Sequence, residues 1–400
     1  MIQKNNTKDI PPAIKKDFNI GTFIFLIILI GANIYFSSIM GIGPFFKTLL
    51  NTAFSVLTDT VLYICAICVL MGALSALLSE FKVVSLFQWL LSPIMKPIWG
   101  MPGASAIGVV TSFLSDNPAA LALYESPQTR PYFKKYQTAA LANLGTSFGM
   151  GMICVSFMLG LGSEYVPAIG IGLLATVIGS IISTRLMIFF SKSYYKKKNL
   201  WEEMNTYEEV SDLQVSEVTT EQENIKKSVF TRVLDAILDG GKLGWEICFQ
   251  TTPGVVCICT LVMLLTFGPG TASNGAAAYT GAAYEGIALL PKIGNLIAPV
   301  THILFGFTDG SSISYPITAL GAVGAANSLV PQMIKQGLAH ANEVAVFTAL
   351  GITWSGFLST HVSMLDTLHK RDLTAIAMGT HFIGGLAAGI IAHYLFILIC

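Results

Sequence analysis

Along this chain, apolar runs alternate with short polar breaks. Runs of about 20 apolar residues are long enough to cross a hydrocarbon core as helices. They predict seven full crossings, at 18–40, 54–79, 136–163, 166–190, 244–267, 343–365 and 373–399. Two further apolar regions, 83–124 and 278–327, are interrupted by Pro, Gly and charge, so they read as hairpins or broken helices. The tip of the first is either Gly100-Met101-Pro102-Gly103 or the Asp116-Asn117-Pro118 break.

The polar positions then orient the helices. With the N-terminus inside, the inner segments hold 18 Lys and Arg and the outer ones three. That bias predicts a cytoplasmic N-terminus and an outside C-terminus. Lys4, Lys8, Lys15 and Lys16 precede the uncharged stretch from Phe18 to Phe46. This stretch is too long for a signal-peptide core and no small-residue cleavage site closes it, so it reads as an uncleaved extra helix. The segment 192–243 is the hydrophilic insert. Lys196-Lys197-Lys198 ends a helix at the inner surface, and 199–225 carries eight acids and no Lys or Arg, as a solvated cytoplasmic linker would.

The halves match in one order. Ile64–Met71 pairs with Val256–Met263, Leu91-Ser92-Pro93 with Leu289-Leu290-Pro291, and Ser115-Asp116-Asn117 with Thr308-Asp309-Gly310. Pro127-Gln128 pairs with Pro331-Gln332, and Leu144–Phe148 with Leu350–Trp354. Combined with the charge bias, the halves run in opposite directions. The expectation is an all-α polytopic membrane protein of two inverted repeats with broken or re-entrant helical hairpins, plus one extra N-terminal transmembrane helix. Its parts are a cytoplasmic arm (1–17), the extra helix and outer loop (18–53), the first repeat (54–191), the acidic linker (192–243) and the second repeat (244–400). Inverted repeats with discontinuous helices meeting at the midplane are a recurring plan of secondary transporters.

Composition agrees. The chain is 53% hydrophobic and 12% charged, against roughly 25% charged in soluble domains. Zero net charge gives a nucleic-acid partner no electrostatic support. The cysteines lie mostly in apolar runs, which argues against a secreted disulfide framework, and the Cys65-x-x-Cys68 pair reads as packing.

Chemistry is expected where polarity enters the membrane. Asp116 and Asp309 are intramembrane carboxylates, each beside a helix breaker, Pro118 or Gly310. With Ser115, Asn117, Ser311 and Ser312 they are the lead candidates for binding solute or ion at one central site; the alternative is that each only caps the next half-helix. Asn143 and Ser147 share a helix face, with Thr353 and Ser355 in the corresponding region of the other repeat. They line the same cavity or pack helices. Glu246 and Gln250 form a wall of the site or an interfacial pair, and His361 is a candidate for solute contact or proton handling. His361, Asp366 and His369 do not have metalloprotease spacing, and His369 begins a charged loop. The chain has no GxxxxGK[ST] and no HExxH, so nucleotide-driven pumping is disfavoured, and no enzymatic activity is expected.

Over 54–399 the chain resembles the nucleoside-recognition "Gate" family of bacterial membrane proteins. The resemblance rests on Ser115-Asp116-Asn117-Pro118 with Leu144–Phe148, then on Thr308-Asp309-Gly310-Ser311 with Leu350–Trp354. The family looks like a distant relative of concentrative nucleoside transporters, of the membrane domain of ferrous-iron transport protein B and of spore maturation membrane proteins. The resemblance implies hairpin-tip roles for Asp116, Asn117, Asp309 and Ser311, and partner-helix roles for Asn143 and Thr353. No carboxylate stands on helix 136–163 before Glu164, unlike true nucleoside transporters.

The reading is an ion-coupled secondary transporter of the cytoplasmic membrane that moves a small polar solute, nucleoside-like by the resemblance, by alternating access. Na⁺ or H⁺ is the coupling ion, and no other cofactor is expected. The partners expected are the solute, the lipid bilayer, and a second copy or a second Gate-family protein. The alternatives are a non-transporting component acting through partners and an ion-conducting pore.

Overall fold

The computed structural model describes residues 19–209, 228–271 and 275–400, apart from the side chains of Asn117 and Ser359. The expected N-terminal arm and most of the acidic linker lie outside the described residues. Among those described, six helices are long and apolar enough to cross a membrane. The first, α1 (Ile20–Met40), starts on a reciprocal cap: Asn19 accepts the Thr22 N–H and the Thr22 hydroxyl accepts the Asn19 N–H. Almost all of its side chains are exposed, as expected of a helix in contact with lipid.

A turn at Gly41 leads into α2 (Ile42–Ser55), which continues through a π-helical turn (Val56–Val61) into α3 (Leu62–Glu80). α4 (Val83–Ile94) carries exposed Leu86, Phe87, Trp89 and Leu90. α5 (Ser105–Leu114) ends at Ser115. The chain reverses through a 3₁₀ turn (Asn117–Leu121) into the short α6 (Ala122–Glu125). Pro118, which lacks an N–H, prevents α5 from continuing. The hairpin tip is therefore at Ser115-Asp116, and Gly100–Gly103 is the bend at its base. The crossing expected at 136–163 is two pieces, α7 (Ala140–Thr146) and α8 (Gly151–Leu159). α9 (Val166–Lys197) closes the first repeat.

α10 (Trp201–Met204) begins the linker. The described start of that linker is mostly exposed and is also tied down by backbone bonds. Lys135 N–H donates to the Thr206 carbonyl and Tyr136 N–H to that of Met204. Glu208 is buried 3.8 Å from Arg130. Charge alone does not reveal this backbone ladder to 133–136.

The second repeat starts with α11 (Val229–Thr266), which packs antiparallel on α3. Gly240 and Gly244 meet Gly72 and Cys68 backbone to backbone, at a separation no Cβ would fit. Cys65 is disulfide-bonded to Cys248. This corrects the packing assignment for Cys65: its partner lies in the other repeat, and sequence spacing within one helix does not reveal it. Past α11, β1 (Gly270–Thr271) pairs antiparallel with β2 (Ala277–Ala278). α12 (Leu289–Leu296) and α13 (Ala298–Phe305) follow, then a 3₁₀ turn (Gly310–Ile313), α14 (Ser314–Ala319) and α15 (Val323–Lys335). The crossing expected at 343–365 is also divided, into α16 (Ala341–Thr353) and α17 (Phe357–Thr367), and α18 (Thr374–Ile399) ends the chain.

Element by element, α4, α5, α7, α8 and α9 correspond to α12, the 3₁₀–α14 segment, α16, α17 and α18. The offset is about 205 residues throughout. The second hairpin's tip is then Leu320-Gly321-Ala322, between α14 and α15. Asp309 corresponds to the base of the first hairpin, not to Asp116. The pairing of Asp116 with Asp309 is thus corrected. Both stretches join a carboxylate to a helix breaker, and in a chain this apolar that likeness arises at a cap as readily as at a tip.

Candidate functional site

Each repeat contributes a helix that stops and restarts in mid-course. Ser147 and Thr353 occupy equivalent positions. Each hydroxyl donates to the carbonyl four residues back, Asn143 at 2.8 Å and Ala349 at 2.7 Å. Such back-bonding bends helices. The restart residues are also equivalent: Met150 and Gly356 precede α8 and α17 in left-handed conformation, with φ +54° and +61°. Gly adopts that region freely, while Met is strained there. The two breaks expose backbone groups that the helical ladder would otherwise pair.

Both hairpins reach these breaks. Phe113, at the end of α5, lies against Gly151 at the start of α8. The Asn117–Leu121 turn packs on α7 and α17. In the other repeat, Leu358 N–H on α17 donates to the Leu320 carbonyl at the second tip, 3.0 Å. Tyr315 donates to Asn327 Oδ1 at 2.8 Å within that hairpin and stacks on Phe347 of α16, 4.2 Å between centroids.

A cavity of about 160 Å³ opens beside the first tip. Ser115 and Leu114 line it from the hairpin, with Cys68, Met71 and Ser75 of α3 and Gly244 of α11 opposite. Its lining offers hydroxyls, sulfur and backbone and carries no charged side chain. Asp116 is half-buried next to Ser115.

The other expected site residues divide. Asn143, Ser147, Thr353 and His361 are fully buried and bonded to other protein groups. Asn143 Nδ2 donates to Ser183 Oγ and Thr380 Oγ1, both at 3.0 Å. His381 Nε2 lies 2.8 Å from the Thr353 carbonyl, and its Nδ1 2.9 Å from Ser183 Oγ. A carbonyl only accepts, so Nε2 carries the proton and Nδ1 accepts from Ser183. Asn143 Oδ1, left as acceptor, takes the His361 Nε2–H at 3.1 Å, and His361 Nδ1 accepts from Thr146 at 3.1 Å. The network closes with both rings neutral. It clamps α7, α9, α17 and α18 around the second break. His381 was missed as a partner of the break; from the sequence it is one polar residue in a glycine-rich helix.

Asp309, Ser311 and Ser312 are at the far end of α16. Asp309 Oδ1 accepts the Ser311 N–H at 2.7 Å, the capping alternative, while Thr308 bonds to Glu343 in the first turn of α16 and Ser312 donates to the Leu338 carbonyl. α16 runs from that first turn to the break, roughly 15 Å of helix, so Asp309 is remote from the tips. Glu246 and Gln250 are exposed on α11 and form no wall of the cavity. Asp366 pairs with Arg371 at 3.3 Å.

Residues 60–171 match the Gate family model, described as nucleoside recognition. That match falls within the first repeat. The second repeat lies outside that match and has the same order of elements. Two structures of the concentrative nucleoside transporter CNTnw share the fold. A variant in an outward-facing state superposes with a TM-score of 0.51 at 16% identity, over 94% of this chain and 85% of that one. An inward-facing substrate-bound state gives 0.52 at 16% identity, over 94% and 84%. An uncharacterized protein of Alkalihalophilus pseudofirmus is 23% identical over 306 residues, 73% of this chain. The chain spans 62% of that relative's length. The Gate-like chain is thus a polytopic helical membrane protein with the nucleoside-transporter fold.

Proposed function

We propose that this Gate-like chain is a secondary transporter that moves a small, uncharged polar solute across the cytoplasmic membrane by alternating access. The observation that carries the reading is the meeting of two hairpin tips with two helix breaks, in a fold shared with CNTnw. Broken helices at that depth are tolerated where they face protein or a water-filled cavity, and their freed groups are suited to ligands. The uncharged lining of the cavity at Ser115 favours a neutral solute, and nucleosides lead the candidates because of the Gate segment. Ser115, Asp116 and Asn117 are the solute- and ion-contacting residues in this reading. Asp116, as a carboxylate at a hairpin tip, would take the coupling Na⁺ or H⁺. The N-terminus is cytoplasmic and the C-terminus outside, and the chain catalyses no covalent reaction.

A thermal-shift screen of the purified protein against nucleosides, nucleobases and other small metabolites, with and without Na⁺, tests this. The reading expects stabilisation by at least one neutral polar compound and uptake of that compound into proteoliposomes. Stabilisation without uptake, or leakage of ions without solute, contradicts it.

A further inference from the structure

Just past α9 the chain turns back onto the first repeat. Asn199 is left-handed, with φ +57°, and Leu200 N–H donates to the Tyr195 carbonyl at 2.9 Å. Residues 201–208 then lie as a strap across 133–136. The two backbones run antiparallel, with Lys134 opposite Tyr207. Lys135 and Tyr136 N–H donate to the Thr206 and Met204 carbonyls, and Glu208 N–H donates to the Phe133 carbonyl at 2.9 Å. Lys134 Nζ donates to Asn205 Oδ1 at 2.9 Å, and Trp201 packs on the Tyr136 ring, 5.3 Å between centroids. A ladder of this kind has one register, so it delivers Glu208 to one place.

That place is near two cations, one from each repeat. Arg130, on the loop that follows the first hairpin, has Nη2 3.8 Å from Glu208 Oε2. The same guanidinium reaches back to the hairpin. It donates to the Tyr124 hydroxyl of α6 at 3.1 Å and lies over that ring at 4.3 Å. Lys370, in the α17–α18 loop of the second repeat, donates to Met204 Sδ of the strap at 4.0 Å. Burial holds the Lys370 ammonium below the usual lysine range, against the opposing pull of Glu208 and Asp372. Glu208 and Lys370 are buried and Arg130 is half-buried. Their bonding is incomplete: Glu208 Oε1 and Arg130 Nε have no hydrogen-bond partner among the described residues. Charges taken from water and left partly unsatisfied add little net stability. Removing one of them leaves the others buried and uncompensated.

We propose that residues 201–208 are a releasable latch: docked, they tie the return limb of the first hairpin to the α17–α18 loop through the carboxylate of Glu208; released, they free that hairpin to move. The latch acts on the tip at Ser115-Asp116 from the other end of the same hairpin. Its ionic contact is loose, so undocking is accessible: Glu208, Arg130 and Lys370 all regain water when the strap leaves. Its backbone ladder is specific, so the strap returns to the same register. Glu209, the next acid in the chain, is exposed and takes no part. The docking contacts stand apart from the transport reading; only an effect on uptake would rest on it.

Hydrogen exchange of the full chain in lipid nanodiscs tests the docking. Glu208→Gln keeps the shape of the side chain and removes its charge. Peptides covering 133–136 and 201–208 should then exchange about tenfold faster than in wild type, while Glu209→Gln leaves them unchanged. Adding Lys370→Met to Glu208→Gln removes an uncompensated cation and should recover part of the protection. No acceleration in Glu208→Gln overturns the latch, and no recovery with Lys370→Met overturns the tie to the second repeat. Coupling to the tip is read by a thiol there, with exposed Cys257 and Cys400 changed to Ser. Ser115→Cys should react faster with a small thiol reagent in the Glu208→Gln background. It should react more slowly when a Lys134→Cys/Tyr207→Cys disulfide holds the strap down. Reaction at position 115 that neither change alters would overturn the action on the hairpin. None of these readouts needs a transported compound, so failure of the latch and failure of the transport reading are told apart.

Discussion

His381 donates from Nε2 to the Thr353 carbonyl at 2.8 Å, supplying a partner for a group that the break between α16 and α17 leaves open. Its ring also holds Ser183, and through it Asn143 and His361. His381→Leu removes a donor and an acceptor from a fully buried site. An unsatisfied buried group costs about 1–3 kcal/mol. Thermal unfolding in detergent should show a midpoint several degrees lower, partly recovered by His381→Gln. An unchanged midpoint would mean that the network does not hold the break.

The α3–α11 crossing makes a steric prediction. A side chain at Gly244 would run into the Cys68 carbonyl, and one at Gly240 into that of Gly72. Overpacking a tight contact typically costs about 1–3 kcal/mol, and here the obstructing atoms are backbone. Gly244→Leu should therefore leave little monodisperse protein by size-exclusion chromatography. Gly254→Leu on the same helix has open space around it and should behave as wild type.

Glu285 makes the loop after β2 sensitive to acid. Burial raises its carboxyl, but bonds from the Thr280 hydroxyl and N–H, the Gly281 N–H and Thr48 outweigh that and hold it below the usual range. The folded state thus binds the proton less readily than the unfolded chain. The stabilisation is present above the unfolded value, about 4.3 for Glu, and is lost as pH falls through the folded value. Unfolding midpoints measured from pH 7 to 3 should separate wild type from Glu285→Gln at neutral pH and converge on acidification. A gap independent of pH would contradict the assignment.

The layers of the fold differ in how far the sequence reveals them. Long apolar runs announce themselves by composition, so α1, α3, α9 and α18 fall close to the expected spans; α11 ends where expected but starts at Val229, inside the segment expected as linker (192–243), because its first turns are polar. The first hairpin tip is legible because Pro118 has a local, unavoidable effect on its helix. The second tip is not. Leu320-Gly321-Ala322 has neither charge nor proline, while Asp309-Gly310, a cap at the hairpin base, imitates the first tip in residue type. Gly356 signals a left-handed restart, whereas Met150 adopts the same conformation with no sequence mark, because tertiary packing imposes it. The His361–His381 contact and the Cys65–Cys248 bond join elements remote in the chain and have no local signature.

In the proposed mechanism, function depends on one hairpin tip, at Asp116, and not on a symmetric pair of carboxylates. Uptake into proteoliposomes of the compound that best stabilises the protein, compared for Asp116→Asn and Asp309→Asn, tests it most directly. The account predicts that Asp116→Asn abolishes uptake with normal folding. Asp309→Asn should transport as wild type, because Asn caps as well as Asp. Equal loss in both variants, or full uptake by Asp116→Asn, would contradict it.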